Sequence, residues 1–155
     1  MTDIQDWLDK YGESHQNKSN KLIHWICVPV IFFSLLALLS QIHITLLETI
    51  IPYEFSNLAS LFVIFGMIFY LKLSFPMFVG VGFFTFLCGI AISFLNNTDY
   101  TLEISIVLFV LAWIGQFIGH KIEGVKPSFF EDLKFLLIGP AWLIAFLYNK
   151  LGIKY

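Results

Sequence analysis

The side chains with the widest chemical range in this 155-residue chain fall into two short blocks near its ends. The first, YGESHQNKSNKLIHW at 11–25, holds His15, Asn17, Asn20 and His24 and runs directly into an apolar segment. The second, WIGQFIGHKIEG at 113–124, holds Gln116, His120 and Glu123. Spacings of four and three place Gln116, His120 and Glu123 on one stripe of a helix. Asn17, Asn20 and His24 share a stripe in the same way if their helix begins that early. His15 lies nine residues before His24, half a turn out of phase on an unbroken helix. It joins the others only if the chain bends near Ser19–Asn20, where Asn20 would cap the helix that follows.

Neutral imidazole ligates iron, zinc, copper and nickel. Two or three histidines with a carboxylate and open positions suit ferrous iron and oxygen chemistry. His15, His24 and His120 are therefore the candidate catalytic metal ligands, with Glu123 as a fourth. Asn17, Asn20 and Gln116 would hold the imidazoles in the right tautomer. Each residue also has a plainer reading. A lone histidine at a membrane lip is ordinarily interfacial, Asn17 and Asn20 are ordinarily caps, and Glu123 before Gly124 is ordinarily a solvated helix end. Only the convergence of three histidines on one side of a membrane lifts the metal above these.

The elements that must position them are apolar. The chain is 58% hydrophobic and 18% aromatic, with 13% charged residues, against roughly 25% charged in soluble domains. A water-soluble fold of this size could not hide that much apolar surface. Four stretches, about 22–40, 57–74, 77–95 and 102–120, approach the ~20 apolar residues a spanning helix needs. A fifth, FLLIGPAWLIAFLY at 135–148, is shorter and interrupted by Gly139 and Pro140, which suggests a re-entrant segment or a fifth crossing. The expectation is one all-α domain, a polytopic membrane bundle of four spans plus this short segment. Pro76 opens the third span, and NNTD at 96–99 is a turn.

Lysines flank the start of the first span and the end of the fourth, whereas 41–56 and 96–101 carry Glu48, Glu54 and Asp99 and no lysine. The positive-inside tendency then places the amino terminus and both polar blocks on the cytoplasmic side. His43 falls on the opposite side. Ile4, Trp7, Leu8 and Tyr11 share a face, as in a helix lying on the bilayer surface. Trp25, Trp113 and Trp142 fit an interfacial belt. Cys27 and Cys88 sit inside apolar runs and read as buried thiols. The polar, acidic amino terminus is unlike a cleaved secretory signal. A net charge of −2 with no arginine gives no footprint for nucleic acid.

The pattern Tyr11, His15, Asn17, Asn20, Ile23, His24, Val28, Pro29 resembles the opening of the 2-hydroxy fatty acid dioxygenase family of small membrane proteins. Trp113, Gln116, Phe117, Gly119, His120, Pro127, Leu133 and Pro140 resemble its second signature. The two blocks frame nearly the full chain. The resemblance implies Fe(2+)-dependent α-oxidation, in which a 2-hydroxy fatty acid and molecular oxygen give the acid's one-carbon-shorter product. It assigns the iron to His15, His24 and His120. Lys121 or Lys126 would attract the substrate carboxylate, although each is ordinarily a solvated lysine at the inner face. Two other readings stand beside it: a haem-binding electron carrier using paired histidines, and a small transporter or assembly factor with no metal. Oligomeric state is not legible.

Overall fold

A computed structural model describes residues 4–124 and 135–155. Its described residues form six α-helices: α1 (Ile4–Glu13), α2 (Lys18–Ser40), α3 (Leu58–Leu73), α4 (Phe75–Leu95), α5 (Thr101–Glu123) and α6 (Ile138–Leu151). Among them there is no strand beyond an isolated pairing of His43 with Asn57. The described residues form an all-α fold, as expected.

Three helices, α2, α4 and α5, are long and apolar enough to cross a membrane. Four were expected. The shortfall is α3, whose 16 residues rise about 24 Å at ~1.5 Å each, less than a hydrocarbon core of about 30 Å. Caps trim it at both ends. The Asn57 side chain accepts the backbone N–H of Ser60 before its first turn, and Ser74 ends it while capping α4 through Met77 N–H. One serine thus closes one helix and opens the next, with Pro76 in the first turn of α4 where its missing N–H costs nothing.

The helices run up and down. Asn57 at the start of α3 pairs with His43 just beyond α2, and Gln41 after α2 donates to Asn96 after α4 at 3.2 Å. Those chain ends therefore share one end of the bundle. The start of α2, the α3–α4 turn and the end of α5 occupy the other. The most extensive interface is α2 against α5. Outward-facing Phe75, Phe83, Phe86 and Phe94 of α4 are more than half exposed, as expected of side chains that meet lipid.

Helix α1 differs from the sequence expectation. The apolar face of α1 was expected on the bilayer surface, but Ile4, Leu8 and Tyr11 are buried in a cluster with Tyr70, Met77, Val81 and Ile138. The stripe found a protein partner in α6. The short carboxy-terminal segment forms helix α6, packed beside the α3–α4 turn. Leu137, just before it, accepts a hydrogen bond from the Tyr70 hydroxyl, whereas Tyr148 near its end donates to Pro76 O at 2.8 Å.

Candidate metal centre

His15 sits in the turn between α1 and α2. Its N–H bonds Gly12 O at 3.0 Å, and Asn17 then caps α2 by accepting from Ser19 N–H and Asn20 N–H. The bend that His15 requires is therefore present, three residues earlier than expected. Asn17 is the cap, and Asn20 lies inside the helix. Starting α2 at Lys18 puts His24 nearly two turns in, on the side that faces α5.

On α5 two glycines, Gly115 and Gly119, lie against α2. A Cβ on Gly115 would lie 2.5 Å from Cys27 Sγ, and one on Gly119 would lie 2.4 Å from Asn20 Oδ1 and 3.2 Å from His24 Cε1. Glycines four apart let two helix backbones approach closely inside a bilayer. The approach brings His120, beside Gly119, to His24.

The three histidines meet. His15, His24 and His120 are 1%, 0% and 4% exposed, and one nitrogen from each lies within 4.8 Å of the others. Ring centroids are 4.2 Å apart for His15 and His24, 5.0 Å for His24 and His120, and 5.6 Å for His15 and His120. His15 Nδ1 lies 2.6 Å from Tyr11 O, and His24 Nδ1 lies 3.0 Å from Asn20 O. A carbonyl can only accept, so in both neutral rings Nδ1 carries the proton and Nε2 presents the lone pair. Backbone carbonyls thus set the tautomer, a task the sequence assigned to amide side chains. Tyr11 stacks on His15 at 4.2 Å and 15°, with Trp142 at 5.6 Å on the same ring. Three buried imidazoles, two with fixed tautomers, form a donor set that fits a divalent transition metal.

The other expected residues distribute around this cluster. Glu123 is outside the mutually close ligand atoms. Its carboxylate accepts the N–H groups of Gln16 and Asn17 and the Asn20 amide. Asn20 is buried and also donates to Ser14 O at 3.1 Å. Gln116 is buried one turn before His120 and lines a cavity of about 30 Å³ with Tyr11, Val28, Trp113, Phe135 and Gly139. Lys121 is exposed at the end of α5. Lys126, Pro127 and Leu133 lie outside the described residues. His43 is at the far end, stacked on Tyr53 at 4.1 Å. Cys27 and Cys88 are free and buried.

Trp113, expected in an interfacial belt, is instead buried between α2 and α5. Ser14, whose hydroxyl reaches His15 Nδ1 at 3.1 Å, had no signal in the sequence. Gly115 and Gly119 did have one, since G-x-x-x-G is a recognisable small-residue spacing.

Residues 1–151 match the family described as "2-hydroxy-palmitic acid dioxygenase Mpo1-like". The chain is 29% identical over 154 residues to the 2-hydroxy-palmitic acid dioxygenase MPO1 of Saccharomyces cerevisiae, covering 98% of this chain and 83% of the yeast protein. No solved structure matches the chain.

Proposed function

The chain belongs to the Mpo1-like family, and from that premise we propose that it is a membrane-embedded 2-hydroxy fatty acid dioxygenase using Fe(2+). The observation that carries the reading is the convergence of His15, His24 and His120, buried and within 4.8 Å of one another. These three residues would hold the iron. When bound, ferrous iron would supply electrons to molecular oxygen and leave open positions for substrate oxygens. The carbonyls of Tyr11 and Asn20 keep Nδ1 of His15 and His24 protonated, so that Nε2 can donate its lone pair. Stacked Tyr11 and adjacent Trp142 exclude water from the His15 side.

The substrate is a 2-hydroxy fatty acid, and the product is one carbon shorter. Gln116 lines, with Tyr11, Trp113 and apolar side chains, a cavity about the size of one water-sized group. It is suited to meet a hydroxyl among methylenes. Exposed Lys121, at the mouth of the same end, would draw the carboxylate.

The bundle crosses the membrane four times, with α3 as a short span and α6 re-entrant. Lys18, Lys21, Lys72, Lys121 and Lys150 all lie toward the histidine end, and Glu48, Glu54, Asp99 and Glu103 toward the other. This asymmetry supports a cytoplasmic amino terminus and active site.

The test is incubation of purified protein with ferrous iron, oxygen and 2-hydroxypalmitate. Appearance of the acid's one-carbon-shorter product, lost in His120→Ala, supports the reading. Iron-independent turnover, or no product from iron-loaded wild type, contradicts it.

A further inference from the structure

We infer that Glu123 is the positioning residue of the histidine cluster: its carboxylate ties together the three chain segments that carry the histidines and ligates no metal. The inference rests on the proposed histidine site.

Glu123 Oε1 accepts the N–H of Gln16 at 2.8 Å and of Asn17 at 3.1 Å. Oε2 accepts Asn17 N–H at 2.9 Å and Asn20 Nδ2 at 2.9 Å. An ionised carboxylate offers about four lone-pair sites. The single Asn17 N–H is shared between the two oxygens, so three donors turn both oxygens toward the start of α2, and neither oxygen joins the mutually close histidine nitrogens. The backbone donors belong to the turn that opens α2, where N–H groups have no partner within the helix and an anion is favoured by the helix dipole. Glu123 therefore acts as an internal anion bound at the start of α2, more than 100 positions away in sequence.

Two of the three donor residues lead to a histidine. Gln16 directly follows His15, so fixing its N–H fixes the His15 backbone. The Asn20 side chain also grips Ser14 O, while its carbonyl accepts from His24 Nδ1. Glu123 stands three residues after His120 on α5, so its grip on the turn sets the distance from His120 to the other two. Gly124, at φ +81, is the left-handed C-cap of α5, so the helix ends where the clamp is made.

The test uses the full chain in detergent with Glu123→Ala and the conservative Glu123→Gln. In metal-free protein, amide hydrogen exchange at Gln16 and Asn17 should accelerate at least about tenfold in the alanine variant and less in the glutamine variant, whose carbonyl still accepts from the turn. Titration with Co²⁺ should give the same ligand-field band positions in wild type and both variants, because three imidazoles remain the donors. Kd should rise about 10–100-fold in Glu123→Ala, with partial rescue in Glu123→Gln. Unchanged exchange at those two amides overturns the clamp. So do displaced cobalt bands in Glu123→Gln, which would make the carboxylate a ligand. Absence of cobalt binding to wild type would instead sink the histidine site, while the exchange measurement still decides the role of Glu123.

Discussion

His24 of α2 and His120 of α5 meet across the main helix interface with ring centroids 5.0 Å apart and planes at 83°, although 96 residues separate them in sequence. What permits this is the absence of a side chain on Gly119. Buried Asn20 and His24 occupy the space where its Cβ would be.

Gly119→Ala should therefore be costly. Asn20 is fully buried and held by Ser14 O and Glu123, so it cannot swing aside freely. Overpacking of this kind costs about 1–3 kcal/mol, and the strain falls on two residues of the cluster. A lower Tm in detergent together with weaker metal binding is expected. Gly89→Ala, on the same kind of helix with open space around it, should change neither.

Tyr70→Phe should loosen α6. The Tyr70 hydroxyl donates to Leu137 O just before that helix, and the ring is 1% exposed. Loss of a hydrogen bond of this kind costs about 0.5–1.5 kcal/mol. A thermal melt should show the loss, with faster hydrogen exchange over 138–151. An unchanged melt would mean that water replaces the phenol.

The up-and-down course can be read by labelling. The native thiols are buried, so single cysteines introduced at exposed sites report alone. Glu13→Cys and Lys154→Cys should react from one side of the membrane, and Glu48→Cys and Asn97→Cys from the other. Reaction of Lys154→Cys from the Asn97 side would make α6 a crossing helix.

Removing metal should abolish turnover without unfolding the bundle. His15 and His24 are held by Tyr11, Ser14 and Asn20 in contacts that need no ion. Chelation should therefore leave the helical circular-dichroism signal intact, and ferrous iron should restore activity. Collapse of helicity on chelation would show that the ion also holds the fold.

Much of this arrangement was legible beforehand, for identifiable reasons. Apolar runs in a membrane protein announce themselves by length, and fixed spacings on α2 and α5 put the polar residues on facing stripes. The histidines could be matched because topology returns α5 to the end where α2 begins. The shortness of α3 was harder to see. It depends on Asn57 and Ser74 choosing to cap, a competition that hydropathy does not register. The burial of α1 was invisible for a related reason: an amphipathic stripe says that an apolar partner exists, but not whether it is lipid or α6. The grip of Glu123 on the Gln16 and Asn17 amides is a backbone contact and leaves no mark in residue types.

The most direct measurement is the metal content of purified chain reconstituted anaerobically with ferrous iron, for wild type and for His15→Ala, His24→Ala and His120→Ala. Expected is iron equimolar with wild-type chain and little or none with each variant, all four proteins retaining the same helical signal. Equimolar iron retained in any of the three variants, or no iron in wild type, would contradict a centre built from these histidines.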